Sequence, residues 1–134
     1  MRIISFCKYW DKLQNKEFTT FRFPRKDKDW YVGEIVQVYY KNRSKQRQAL
    51  GTAEILSKEF RAMARYGDKT GYPCITNDEA IADGFPDAID AYGNHKSGYF
   101  FMWEFLWDNY RFKRLSNEPM NKLTLVWIDK LVNT

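Results

Sequence analysis

Cysteine, histidine and long apolar runs are what this 134-residue sequence has least of. Its two cysteines, Cys7 and Cys74, lie far apart and outside any CxxC pair. Neither a disulfide framework nor a thiolate metal cluster is expected from them. A zinc site would need the single histidine, His95, to converge with both cysteines and a carboxylate. A Cys–His nucleophile pair has no local signature here. No metal and no cofactor is therefore expected. No apolar run approaches the roughly 18 residues of a membrane span. The segment Met1–Phe6 carries neither the apolar stretch nor the small-residue cleavage site of an export signal. A cytoplasmic protein with reduced thiols and no membrane partner is the expectation. Four prolines and seven glycines are too few for a collagen-like or low-complexity chain.

What is plentiful is aromatic and charged. Aromatics make up 18% of the chain and hydrophobic residues 44%, enough to build one core, and a single domain over residues 1–134 is expected. Lys and Arg number 22 against 17 Asp and Glu, a modest excess whose distribution is more informative than its size. Arg22, Arg25, Lys26 and Lys28 cluster, diluted by Asp27 and Asp29. Lys41, Arg43, Lys45 and Arg47 follow with no acid among them. Arg111, Lys113 and Arg114 form a third group. Solvated loops explain such runs in the ordinary case. The functional alternative is a surface for nucleic-acid phosphates, whose counterions clustered cations release. Phe21, Phe23, Trp30, Tyr31, Tyr39 and Tyr40 lie beside these groups, and an exposed ring stacks a base for roughly 1–3 kcal/mol. Most of these rings are expected in the core.

Along the chain, Ile3–Phe6 reads as a short apolar strand or a helix start, and Tyr9–Leu13 as a short helix with Trp10 and Leu13 on one face. Glu17–Phe23 alternates, with Phe18, Thr20 and Arg22 on one side, and is stopped by Pro24. Glu34–Tyr40 is the clearest strand, rich in β-branched and aromatic residues. Lys41–Gln48 is a polar, basic hairpin loop. Ala49–Phe60 returns as its antiparallel partner, with Gly51 at a bulge or bend. Tyr66–Pro73 is a loop. Thr76 and Glu79 form a capping-box pattern that opens a helix, which stops at Gly84. Pro86 is placed to start another. Gly98–Tyr110 is an aromatic helix, with Trp103, Leu106 and Trp107 expected largely in the core and at most one of them exposed. Leu115–Asn121 is a polar link and Leu123–Ile128 a closing strand. Strands and helices do not alternate regularly, so a doubly wound parallel sheet is not expected. The fold class is α+β, mostly β: a small antiparallel β-barrel with two to four helices packed on it.

Three stretches together resemble the ASCH domain family of the PUA-like superfamily. Asn15–Arg22 is similar to the family's G-x-K-x-x-T-x-R strand: Thr20 and Arg22 match, Asn15 replaces the glycine and Glu17 the lysine. Val32–Gly33–Glu34 is similar to its V-G-D strand entry. Ile75–Phe85 resembles its hydrophobic-T-x-x-x-A-x-x-D-G-F segment almost residue for residue. The resemblance runs from about Ile3 to Ile128 and implies a PUA-like barrel with a ligand cleft between the early strand and the helix bearing Asp83. It also implies recognition of RNA or modified nucleotides. One branch of the family is an amidohydrolase that deacetylates a cytidine base.

Carried over residue by residue, the branch's threonine falls on Thr20 and its acid on Asp83. The lysine position falls on Glu17, and Lys16 takes its place only through a one-residue bulge, because strand neighbours face opposite ways. Thr20, Asp83, Lys16 and Glu17 are thus the candidate catalytic residues, with Arg22, Thr20 and Asp83 the candidate ligand-binding set. Arg25, Lys26, Lys41, Arg43, Lys45 and Arg47 are the candidate phosphate contacts. Asp83 could equally be only a helix stop. An RNA- or modified-nucleotide-binding domain is the leading expectation. A small amidohydrolase acting on an acylated nucleoside such as N4-acetylcytidine is the alternative, and a protein-interaction or regulatory domain a further one.

Overall fold

The computed structural model describes residues 1–63, 71–109 and 118–131. The elements are β1 (Ile3–Phe6), a 3-10 turn (Asp11–Gln14), β2 (Glu17–Arg22), β3 (Ile35–Tyr40), β4 (Gln48–Arg61), α1 (Asn77–Asp83), β5 (Ala88–Ile89), β6 (His95–Lys96), α2 (Gly98–Asn109) and β7 (Met120–Lys130). Five strands form one sheet in the order β1-β3-β4-β7-β2, and β5 and β6 form a separate pair. Among the described residues strands dominate and two α-helices accompany them, as the expected mostly-β, α+β class requires.

The chain divides into two compact units. The first comprises Met1–Thr20, Arg25–Lys58 and the described residues from Leu123 onward. The second comprises Phe21–Pro24 and the described residues between Glu59 and Lys122.

In the first unit, β3 and β4 pair antiparallel, from Ile35 opposite Glu54 to Tyr40 opposite Gln48. Val36 and Val38 are fully buried, while Ile35 between the loop and Val36 is exposed, the alternation of a sheet with one covered face. The register shifts between Val38, opposite Gly51, and Tyr39, opposite Ala49, so Leu50 is the extra residue. Gly51 holds a φ of 148°, and a side chain there would run into the Asp129 carbonyl. The bulge expected at Gly51 is therefore fixed by a close backbone approach.

One pairing departs from the antiparallel expectation. β1 lies parallel to β3, Ile3 opposite Gln37 through Phe6 opposite Tyr40. The Gln37 N–H donates to the Arg2 carbonyl at 2.9 Å and the Lys41 N–H to that of Phe6 at 2.9 Å. The long connection from Phe6 to Ile35, with β2 inside it, supplies the crossover that parallel neighbours need. Tyr9–Leu13 also tightens into a 3-10 turn with Trp10 as its N-cap, rather than an α-helix.

In the second unit the capping box forms as expected. The Glu79 N–H donates to Thr76 Oγ1 at 3.1 Å, and the Thr76 N–H donates to Glu79 Oε1 at 3.0 Å. Gly84 ends α1 in the left-handed region at φ 117°. Arg61 Nε at 3.1 Å and Lys122 Nζ at 2.7 Å converge on the same Glu79 carboxylate. Burial pushes the Glu79 pKa up, but the Lys122 and Thr76 hydrogen bonds and the charges of Lys122 and Arg61 outweigh it and leave the pKa lowered.

Pro86 does not open a helix. The chain turns instead into the β5–β6 hairpin, closed by Asp90, whose Oδ1 accepts from the N–H groups of Tyr92 and Asn94 at 2.9 Å each. An aspartate able to satisfy two turn amides outcompetes a helix start. Along α2, Gly98, Met102 and Leu106 are the buried residues. Trp103 is half-buried and Trp107 is 41% exposed, the two rings stacked 5.2 Å apart. One of the three side chains expected in the core, Trp107, is exposed, as the expectation allowed; Leu106 is buried and Trp103 half-buried. Met120 and Asn121 begin β7 rather than end a link. The Tyr66–Thr70 part of the expected loop, the end of the helix at Tyr110, the third basic group and Leu115–Asn117 lie outside the described residues.

Candidate functional site

In β2, Phe18 and Thr20 are buried with Thr19 half-buried between them, and the alternation breaks at Phe21, which is buried next to Thr20. Thr20 is buried at 3% exposure and Arg22 is half-buried, whereas Lys16 and Glu17, at the open start of the strand, are exposed. The Lys16 carbonyl accepts from the Trp127 N–H at 3.1 Å, so its backbone is held in the sheet. Asp83 is buried at the last position of α1. A carboxylate there faces the negative end of the helix, and burying it requires compensation. Thr20, Arg22 and Asp83 are all engaged in interactions. Lys16, Glu17 and Thr20 belong to the first unit, Arg22 and Asp83 to the second.

Sequence reasoning missed a buried cation. Lys12, in the 3-10 turn, is 6% exposed. Its Nζ lies 5.2 Å from the Phe6 ring centroid and 5.6 Å from that of Trp10, within cation–π range. Its neighbours Trp10 and Leu13 are the apolar residues that mark this segment. No periodicity singles out the lysine between them.

The Lys41–Arg47 loop is where cations and rings meet in the first unit. Its backbone is well pinned. Lys41 sits at φ 44°, and its carbonyl accepts from Ser44 N–H at 3.0 Å and Ser44 Oγ at 2.9 Å. The Asn42 N–H donates to Ser5 Oγ at 3.0 Å. On this frame Arg43, Lys45 and Arg47 are exposed, and among the described residues none of them forms an ion pair. The Arg47 guanidinium lies 4.8 Å from the Tyr39 ring centroid. Lys41 Nζ lies 5.4 Å from that of Tyr40 and hydrogen-bonds Gln46 Oε1 at 3.1 Å. Tyr9 stacks on Tyr40, centroids 4.0 Å apart and planes inclined by 20°. The Tyr9 hydroxyl donates to Gln48 Oε1. With one face covered by Tyr40, Tyr9 remains 44% exposed. Tyr9 was absent from the aromatics first associated with the basic groups, because only the β1–β3 pairing brings its segment beside Tyr40.

The other basic segment of this unit, Arg25–Asp29, is arranged differently. Arg25 pairs with Asp27 at 3.3 Å, and Lys58 with Asp29 at 3.2 Å. Arg2 closes on the buried Glu34 at 2.5 Å and reaches the carbonyls of Lys28 and Asp29. Arg2 and Arg25 both lie over the Trp30 ring, at 4.5 and 5.4 Å. The hydrogen bond and charge of Glu34 together outweigh partial burial and raise the Arg2 pKa. Lys26 alone of the predicted contacts here is exposed without an ion pair among the described residues.

The second unit has an open cleft of about 630 Å³ lined by Asn77, Asp87, Ala88, Ile89, His95, Lys96 and Ser97. Three of its polar side chains hold the start of α2, while His95 and Lys96 complete the polar lining. Asp87 Oδ1 accepts from the Gly98 N–H at 2.7 Å, Asn77 Oδ1 from Tyr99 at 2.9 Å and Ser97 Oγ from Phe100 at 3.2 Å. None of the predicted site residues lines this cleft. Among the described residues, no group of three or more His, Cys, Asp or Glu side chains is placed to hold a metal, and no helix is long and apolar enough to cross a membrane.

No family model matches the sequence, and neither a curated protein nor a solved structure matches the chain.

Proposed function

We propose that this protein is an RNA- or modified-nucleotide-binding domain of the ASCH type, working in the cytoplasm. The observation that carries the reading is the acid-free Lys41–Arg47 loop, in which Arg43 and Lys45 are exposed, Arg47 lies over Tyr39 and Lys41 over Tyr40, on which Tyr9 stacks. Cations on a pinned backbone supply phosphate contacts, and rings supply sequence-tolerant contact to bases. The resemblance of Asn15–Arg22 and Ile75–Phe85 to the family's strand and D-G-F segment supports the same reading.

The test is RNA binding as a function of salt. Three phosphate contacts give a log–log slope near −2 for a single strand. Neutralising Arg43, Lys45 and Arg47 together flattens that slope and leaves the melting temperature unchanged, since exposed charges contribute little to stability. Salt-independent binding, or none at low salt, defeats the reading.

A second reading is hydrolysis of an acylated nucleoside. The family lysine position holds Glu17, yet a buried lysine and the buried Thr20 occur in the same unit. Turnover of N4-acetylcytidine, lost in both Thr20→Ala and Lys12→Met, would favour this reading over recognition alone. Turnover that survives both substitutions would exclude these residues from the chemistry.

A further inference from the structure

Resting on the recognition reading, we infer that the nucleic acid held by the Lys41–Arg47 loop is single-stranded, with one unpaired base stacked on the outer face of Tyr9. Tyr40 covers one face of Tyr9 at 4.0 Å and near-parallel planes. The remaining 44% exposure of Tyr9 therefore comes largely from its other face and edges. The ring is held in place before any ligand arrives. Tyr40 lies in β3, and the Tyr9 hydroxyl is tied to Gln48 at the start of β4. A fixed ring binds a base without first losing its own rotamer freedom.

Lys41, 5.4 Å from the Tyr40 ring, belongs to the same assembly, whereas Arg47 lies over Tyr39 on the other side of β3. Arg47 immediately precedes Gln48, and Lys41 immediately follows Tyr40. Arg43, Lys45 and Arg47 therefore extend from a loop whose two ends are the strands that hold the stack. A backbone running along the loop can place phosphates on these cations while one base reaches Tyr9. In a duplex that base is paired and stacked within the helix, and bringing it to Tyr9 costs a few kcal/mol of unpairing and unstacking. The loop's charge attracts either form, but the ring rewards only the unpaired one.

The experiment compares a uridine-rich 8-mer carrying a single 2-aminopurine with the same strand in a duplex, on the whole protein at fixed salt. The expected results are tighter binding of the single strand and a change in 2-aminopurine fluorescence on binding. Tyr9→Ala should weaken single-strand binding by about 5- to 150-fold, the equivalent of one stacked base, without changing the salt slope. Tyr9→Phe, which keeps the ring and loses the Gln48 bond, should stay within about threefold, since stacking needs the ring face alone. A matching far-UV spectrum and melting temperature establish that each variant is folded. If Tyr9→Ala does not fold, the fluorescence change and the single-strand preference of the unaltered protein decide the matter. Equal affinity for single strand and duplex, no fluorescence change, or undiminished binding by folded Tyr9→Ala would overturn the stacking, while a retained salt slope would leave the recognition reading standing. No binding of either form would overturn both.

Discussion

The Arg25–Asp29 and Lys41–Arg47 segments are both rich in cations, but the first interleaves its three with two aspartates while the second carries four and no acid. In the first, Arg25 closes on Asp27 and Lys58 on Asp29, while Arg2 enters from the chain terminus to neutralise Glu34 and cover Trp30. Its two aspartates and Arg25 are spent on local pairs, while Lys26 and Lys28 stay exposed without an ion pair among the described residues. In the second, the backbone is held by Ser44, Ser5 and Phe6, so the loop's shape does not depend on its charges. Arg43, Lys45 and Arg47 are left to solvent. A cation already satisfied by the fold brings little to a phosphate, because its pair must first be broken. The useful measure of a basic patch is thus the charge left unspent.

The largest effect should come from breaking the first segment's central pair. Glu34 is 5% exposed and Arg2 is partly exposed. Arg2→Ala leaves the Glu34 carboxylate buried with its strongest partner gone, at a cost of about 3 kcal/mol. Denaturant unfolding checks this, and a loss below about 1 kcal/mol would mean that Trp30 and the backbone hold the segment without the pair. The corresponding substitution in the loop, Arg43→Gln, should leave the unfolding midpoint where it was.

A smaller effect separates the two segments in binding. Arg43→Gln should reduce the RNA salt slope by about 0.7, the loss of one phosphate contact to a single strand. Arg25→Gln should barely move it, because Arg25 is engaged with Asp27 and Trp30. Equal slope changes in the two variants would break the comparison and assign both segments to the interface. Lys26 and Lys28, both exposed and in no ion pair among the described residues, are the residues through which the first segment could still contribute.

Much of this was legible wherever the cause was local. The hairpin of β3 and β4, the bulge at Gly51, the Thr76–Glu79 capping box and the stop at Gly84 each follow from a few adjacent residues. The parallel β1–β3 pairing was not legible, since nothing within Ile3–Phe6 states which strand it will join. With it went the Tyr9–Tyr40 stack, whose members are far apart in sequence. Lys12 was hidden for a related reason: a charged residue reads as exposed until the rings of Phe6 and Trp10 are seen around it. The helix α2 was only partly legible, through abundance. With nearly every position apolar, spacing alone did not reveal that Met102 and Leu106 turn inward and Trp107 outward. Of the candidate site, charge clustering found the Lys41–Arg47 loop, and the absence of acids between its cations was the signal that distinguished it.

The smallest expected effect tests whether the first segment's ion pairs are formed in solution. The Lys28 backbone N–H, first, and the Arg25 side chain, second, hold the Asp27 carboxylate below its ordinary value of 3.8. A folded-state pKa below the unfolded one contributes stability that is fully present above the unfolded value and lost as the pH falls through the folded value. The relevant window therefore lies below pH 3.8, and nothing changes near neutrality. Because Asp27 is fully solvated, the contribution to stability is slight and the titration itself is the better readout. Carbon-detected NMR of the Asp27 carboxyl should give a midpoint below 3.8. Arg25→Gln should raise it only part of the way back, since the Lys28 N–H remains in place. A midpoint at or above 3.8 in the unaltered protein would mean that Arg25 is not engaged. Its charge would then count with that of Arg43, and the contrast between the two segments would narrow to the Arg2–Glu34 and Lys58–Asp29 pairs.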